Sequence, residues 1–152
     1  MARMTPVVIR AALPADEADW RSMWRGYCSF YNTVVPEEVT HRTWTRILDP
    51  DSAIMCIVAE VDGKVYGFAN CVVHENTWET QPVCYLEDLY VLPSARSHGI
   101  GTALLEWLRN AMRAEGWARL YWMTQEDNTS ARRLYDRFAK ADDFVRYVVR
   151  QR

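Results

Sequence analysis

Apolar and polar positions change period several times along the chain, and each change marks an element. Val7-Val-Ile-Arg-Ala-Ala12 reads as a first strand. Pro14, with Asp16 and Glu17 behind it, opens a helix, because proline suits a first helical turn and acids suit the positive helix end. Trp20, Met23, Trp24, Tyr27, Phe30 and Tyr31 recur at helical spacing, which makes one face of this helix unusually aromatic. Asn32 to Pro36 is a break, Pro36-Glu37-Glu38 starts a second helix through about Leu48, and Asp49-Pro50-Asp51-Ser52 is turn chemistry.

Three strands follow, over Ala53–Glu60, Lys64–His74 and Val83–Leu92. Asp62-Gly63 is a strong hairpin signal between the first two, and the polar stretch Glu75–Gln81 joins the second to the third, so the three predict an antiparallel meander. Trp78 in that stretch is expected to fold back on the meander, with a lid over a site as the alternative. Ile100, Ala103, Leu104, Trp107, Leu108, Ala111 and Met112 form the stripe of an amphipathic helix that ends at Gly116. Leu120-Tyr-Trp-Met-Thr124 is a short buried strand, Asn128, Thr129 or Ser130 caps a helix carrying Ala131, Leu134, Tyr135 and Phe138, and Phe144–Val149 closes the chain as a strand. The order β-α-α-β-β-β-α-β-α-β predicts an α/β (α+β) fold, with a mixed, mostly antiparallel sheet and helices on both faces. The helical crossover makes strands four and five a parallel, right-handed pair.

At 152 residues, with 49% hydrophobic and 25% charged positions, the chain fits one folded domain over residues 1–152. No apolar run reaches the roughly 18 residues that span a bilayer, and the N-terminus carries no signal-type apolar region, so a cytoplasmic protein without a membrane partner is expected. Cys28, Cys56, Cys71 and Cys84 are scattered through apolar segments and read as small buried hydrophobes, and the isolated His41, His74 and His98 suggest no metal. Charge is unevenly divided: residues 1–90 hold 13 Asp/Glu against 7 Lys/Arg, and residues 91–152 hold 7 against 11. This is either surface composition or a basic half for an anionic ligand and an acidic half for a cationic one. No basic stripe with interleaved aromatics points to nucleic acid.

The chemistry concentrates in Leu86–Leu105, a strand that Pro93 terminates, followed by a glycine-bearing turn into a helix. The N–H groups of Ser97, His98, Gly99, Ile100, Gly101 and Thr102 lack intrahelical carbonyl partners at the positive end of a helix, which suits a pyrophosphate. The glycines admit close approach of a ligand to the backbone, and Arg96 adds a charged donor for phosphate oxygens. The loop has no Gly-Lys-Ser/Thr of a P-loop, and its antiparallel context excludes a dinucleotide fold.

Arg96-Ser-His-Gly-Ile-Gly101 resembles the R/Q-x-x-G-x-G/A signature of the GNAT superfamily of N-acetyltransferases. Leu89-Tyr-Val91 is similar to its bulged fourth strand, and Asn128-x-x-Ala131-x-x-Leu134-Tyr135 to its later helix motif. Leu86–Val91 resembles the corresponding strand of the diamine (spermidine/spermine) acetyltransferases, while Leu120–Asp136 looks closer to small histone- or amino-acid-acetylating members. The resemblance implies a six- to seven-stranded sheet, acetyl-CoA as acetyl donor, backbone pairing of Leu89, Tyr90 and Val91 with the pantetheine arm, and a pyrophosphate on Ser97–Thr102. It places Asn128 near the thioester and makes Tyr135 the acid that protonates the departing thiolate. Ser97 stands where the family often has glycine, and Asp143-Phe144 where it usually has Gly-Phe. The family's frequent dimers, with the edge of the terminal strand, imply a possible homodimer.

An alkylammonium is almost wholly protonated at neutral pH, so a base or a desolvating pocket must produce the free amine. Glu87 is the candidate base, with a salt bridge to an arginine as its structural alternative, and strand alternation sends Asp88 to the opposite face. A free N–H at the bulge is expected to receive the oxyanion. Tyr135 has core packing as its alternative role. Trp24, Tyr27 and Tyr31 read either as core or as lining of the acceptor pocket, where aromatic faces attract an ammonium. The expected function is acetyl transfer by direct attack of a small cationic amine or amino compound. The alternatives are a protein lysine or N-terminal acetyltransferase and a non-catalytic acyl-CoA-binding module.

Overall fold

The computed structural model describes residues 5–151. The elements are β1 (Val8–Ala11), α1 (Glu17–Phe30), α2 (Glu37–Leu48), β2 (Ile54–Val61), β3 (Lys64–His74), β4 (Val83–Val91), α3 (Ile100–Glu115), β5 (Leu120–Trp122) and α4 (Thr129–Tyr135). Pro14 begins a short 3-10 turn rather than α1 itself. Asp16 fixes that entry: its buried carboxylate accepts the Leu13 N–H at 2.7 Å and both Arg10 guanidinium nitrogens at 2.8 and 3.0 Å. The sheet order is β1-β2-β3-β4-β5, antiparallel through β4 and parallel between β4 and β5, as the crossover requires.

Strand alternation divides the core in two. Ile57, Ala59, Cys71, Cys84 and Leu86 face Leu104, Leu105 and Leu108 of α3. Cys56, Val58, Phe68 and Tyr90 face Trp20 and Met23 of α1 and Trp44 of α2. All four cysteines are buried and unpaired, as their apolar settings suggest. Asp62 and Gly63 take the positive φ angles, 51° and 77°, that a tight hairpin turn demands.

Two irregularities of β4 shape the functional end. Across β3 and β4, Asn70 is opposite Asp88 while the next residue, Cys71, is opposite Leu86, so Glu87 is the extra residue of a bulge. Leu86 consequently packs toward α3 and Asp88 turns toward α1, two faces that unbroken alternation would not give. The second irregularity is a splay. β5 accompanies β4 only over Cys84–Leu86, and β4 runs on to Val91 with no strand beside it on that side.

Two expectations are corrected. The described residues form five strands, because Phe144–Val149 makes no ladder: Phe144, Val145, Tyr147 and Val149 are 75–100% exposed. Its apolar pattern has strand character, yet no edge of the same chain pairs with it. Trp78 neither folds back on the meander nor covers a site; it stands 86% exposed. Its turn is held instead by Asn76, whose Oδ1 accepts the Trp78 and Glu79 N–H groups at 2.9 and 3.0 Å.

Gly67 in β3 lies beneath the functional end of β4. A Cβ there would lie 2.9 Å from the Tyr90 carbonyl oxygen and 3.2 Å from Ile100 Cγ2, so β4 and the start of α3 would have to move. The variant Gly67→Ala is expected to lose roughly 1–3 kcal/mol, read as a lower urea midpoint with an unchanged m-value.

Candidate functional site

The site begins with a carboxylate that the fold takes out of water. Asp88 is held by a short chain of polar groups: Trp20 Nε1 donates to Asn70 Oδ1 at 3.4 Å, and Asn70 Nδ2 donates to Asp88 Oδ2 at 3.1 Å. Trp20 and Asn70 are buried, so this chain is fixed inside the α1 side of the core. The Tyr27 hydroxyl turns toward the same carboxylate. Burial pushes the Asp88 pKa up to about 6; Asn70 and Tyr27 counteract this by favouring the charged form, and neighbouring Glu87 adds to the rise. Asp88 therefore changes charge just below neutral pH and is mostly a carboxylate at pH 7. Glu87, on the bulge itself, is exposed and makes no hydrogen bond or ion pair among the described residues.

Further aromatic hydroxyls lie along the same end of the fold. Tyr27 and Tyr31 sit with ring centroids 5.0 Å apart, and Tyr27 meets Tyr90 edge-on at 6.4 Å. From the other side of the splay comes Tyr135, the last residue of α4, with its ring edge-on to Trp122 at 5.6 Å. Burial, with a smaller push from Tyr31, raises the Tyr135 pKa to about 12, so its hydroxyl stays protonated at any ordinary pH. Tyr27 is raised further, by burial first and then by Asp88. Of the three aromatic candidates on α1, Tyr27 thus faces Asp88 and Tyr31 faces Tyr135. Trp24 stacks on Tyr27 at 5.6 Å, but its indole N–H donates to Thr40 on α2 at 3.2 Å, and it lines a separate hollow of about 500 Å3 between α1 and α2.

The anion cradle forms at the start of α3. None of the N–H groups from Ser97 to Thr102 has a backbone acceptor among the described residues. Gly99 takes φ 79° at the N-cap and Ser97 takes φ 68°, the left-handed region in which a glycine is unstrained. At Gly101 a Cβ would lie 2.9 Å from Leu134 Cδ2, so its bareness also seats α4 on α3. Arg96 points back along the strand. Its Nε donates to the Val91 carbonyl at 3.1 Å and its guanidinium lies over the Tyr90 ring at 5.7 Å, back along β4. His98 Nδ1 lies 2.9 Å from the Arg96 carbonyl oxygen, bracing the loop, and Ile100 is buried in the core.

Between cradle and carboxylate lies the exposed side of β4, where Leu89, Tyr90 and Val91 have β3 on one flank and the splay on the other. Asn128 closes the far side as the N-cap of α4: its Oδ1 accepts the Ala131 N–H at 3.3 Å and its Nδ2 donates to Thr124 Oγ1 at 3.3 Å. Three residues at this end had no distinct role in the sequence reading. Asp88 is turned toward α1 by the bulge, Asn70 is an unremarkable residue in a strand, and Arg137 reaches the first turn of α3 to donate to Thr102 Oγ1 at 2.8 Å.

Known proteins share this arrangement. Residues 19–139 match the Acetyltransferase (GNAT) family. The chain is 34% identical over 143 residues to a D-amino-acid N-acetyltransferase of Saccharomyces cerevisiae, covering 93% of this chain and 89% of that one. It is 34% identical over 110 residues to an aminoglycoside N(6')-acetyltransferase type 1 of Stenotrophomonas maltophilia, covering 68% of each. Among solved structures, the aminoglycoside N-acetyltransferase AAC(6')-Iy in complex with CoA superposes with a TM-score of 0.81 at 22% identity over 99% of both chains, a likeness of fold. A splayed β4–β5 pair, a helix start with unclaimed N–H groups and a family match over most of the length lead to one conclusion: the chain belongs to the GNAT family of acetyltransferases.

Proposed function

We propose that this protein transfers the acetyl group of acetyl-CoA to the primary amine of a small cationic amine or amino compound, by direct attack, with Asp88 as the base. The observation that carries this reading is the half-buried Asp88 carboxylate beside the open flank of β4, facing Asn70 and Tyr27, with Tyr135 coming from the other side of the splay. The relatives named for acetylating D-amino acids and aminoglycosides support an amino-bearing small molecule. The residues present fit the donor: Ser97–Thr102 offer N–H groups to a diphosphate, Leu89–Val91 offer a backbone flank to the pantetheine arm, and Asn128 closes the cleft. When bound, acetyl-CoA supplies an activated thioester carbonyl.

The chain's own groups then handle the protons. An alkylammonium has an ordinary pKa of about 10.4, so proton transfer to a carboxylate at about 6 is uphill by roughly 6 kcal/mol. A carboxylate at its ordinary value would face about 3 kcal/mol more. The barrier for turnover at about 10 per second is near 16 kcal/mol, so the smaller cost leaves ample room for the chemical step. Glu87, exposed at the mouth, attracts a cationic acceptor, and Tyr135 holds a proton for the leaving thiolate. Cys28 adjoins Asp88, but burial pushes its thiol up, which makes it a poor acyl carrier and supports direct attack.

The test is acetyl-CoA consumption over polyamines, amino acids of both hands, aminoglycosides and lysine peptides. Turnover with a free small amine is expected; turnover of peptides alone, or CoA binding without turnover of any acceptor, overturns the proposal. With the best acceptor, Asp88→Asn is expected to lower kcat by about 10²–10⁴ and Tyr135→Phe by about 10² or more, while Glu87→Gln acts mainly on KM. A Glu87→Gln loss in kcat as large as that of Asp88→Asn would move the base to Glu87.

A homodimer is part of the same reading. Phe144, Val145, Tyr147 and Val149 leave an extended apolar segment in water, and β5 has a neighbour on one side only. A second copy can supply what the chain itself leaves unpaired. Sedimentation should show a dimer at micromolar concentration, and a monomer when the chain stops at Asp143 or carries Tyr147→Lys with Val149→Lys. A dimer indifferent to both changes would place its interface elsewhere.

A further inference from the structure

We infer that the contact between Gly26 of α1 and the Tyr90 side chain of β4 is a stop that sets how far α1 stands from Asp88, so that Tyr90 is a positioning residue for transfer of the acceptor's proton. The inference deepens the reading of Asp88 as the base and rests on it. It begins from a residue that the helix itself does not favour. Glycine inside a helix is less stable than alanine would be, because its backbone loses more freedom on folding. Gly26 nevertheless stands in the body of α1. The structure supplies the reason: a Cβ on Gly26 would run into the Tyr90 hydroxyl oxygen and lie 3.0 Å from Tyr90 Cζ. The bare helix backbone therefore rests against the tip of the Tyr90 ring, and any larger residue would push the two apart.

Tyr90 is fixed against yielding. Its side chain is buried, with Phe68 at 6.0 Å and the Arg96 guanidinium over the ring at 5.7 Å. Arg96 is itself tied to the Val91 carbonyl at 3.1 Å, and the Tyr90 carbonyl lies against the bare Gly67 of β3. The ring thus stands as a strut between β4 and α1, two residues from Asp88 and on the same face of the strand. The strut matters because Tyr27, next to Gly26 on the helix, turns its hydroxyl toward Asp88 and its ring edge-on to Tyr90 at 6.4 Å. The groups near Asp88 are Asn70 of β3, Glu87 and Tyr85 of β4, Tyr27 and Cys28 of α1, and the thiols of Cys56 and Cys71 in the sheet. Only Tyr27 and Cys28 travel with α1, and burial keeps the Cys28 thiol protonated. A change in the standing of α1 therefore reaches Asp88 through the Tyr27 hydroxyl, which favours the charged form.

The experiment titrates the Asp88 carboxyl by NMR in the free protein and measures kcat and the CoA dissociation constant beside it. Gly26→Ala is expected to raise the Asp88 titration toward that of Tyr27→Phe and to lower kcat by about tenfold, with CoA bound as tightly as before. In a Tyr90→Phe background the same substitution should cost far less, because the remaining approach to Cζ is relieved by a shift of a few tenths of an ångström. In a Tyr27→Phe background it should move the Asp88 titration no further. The inference is overturned if Gly26→Ala leaves the titration where the parent has it or lowers it, or if its loss is undiminished beside Tyr90→Phe. It is overturned equally if CoA binding falls with kcat, which marks general damage to the fold, or if kcat holds in Gly26→Ala while Asp88→Asn loses it. A raised titration with kcat intact in both Gly26→Ala and Asp88→Asn would instead remove the reading of Asp88 as the base.

Discussion

The functional end of this fold depends on one half-buried carboxylate. Asp88 sits between Asn70, Tyr27 and the α1 side of the core because β4 takes an extra residue at Glu87, which turns the strand over between Leu86 and Asp88. The fold gives up stability to hold it. With an unfolded pKa near 3.9 and a folded value of about 6, the protonated form is the one folding favours, so the contribution of Asp88 to stability is greatest below about pH 4 and is lost as pH rises through about 6. Above that pH the folded protein retains a carboxylate more basic than any exposed aspartate, held in place by Asn70 and Trp20.

The splay between β4 and β5 is the second constraint. It opens the flank of β4 where the bulge has just turned Asp88 and lets α4 approach from the other face of the sheet, bringing Tyr135 toward Tyr31. Contact between Leu134 and Gly101 then joins α4 to the first turn of α3. The start of α3, the strand flank, Asp88 and Tyr135 are thus placed by one set of packing contacts, beside the aromatic face of α1.

Period and punctuation in the sequence reveal most of this fold. The meander, the Asp62-Gly63 turn, the glycine-bounded α3 and the parallel β5 all follow from local pattern, because each is decided by neighbours within a few residues. What local pattern misreads is decided at long range. The bulge that turns Asp88 toward Asn70 is set by pairing with β3, across 18 residues. The terminal strand has the right residues and no partner. Gly101 leaves room for Leu134, and Arg96 and Arg137 make bonds to Val91 and Thr102 that no spacing encodes.

The central claim is that the Asp88 carboxylate takes the acceptor's proton. The most direct measurement is the pH dependence of kcat/KM with two acceptor amines of different pKa. The account predicts an acid limb near pH 6 in the same place for both acceptors, shifted upward by Asn70→Ala, which removes a donor to the charged form. An acid limb that follows the acceptor's own pKa, with no break between pH 5 and 7, would contradict it.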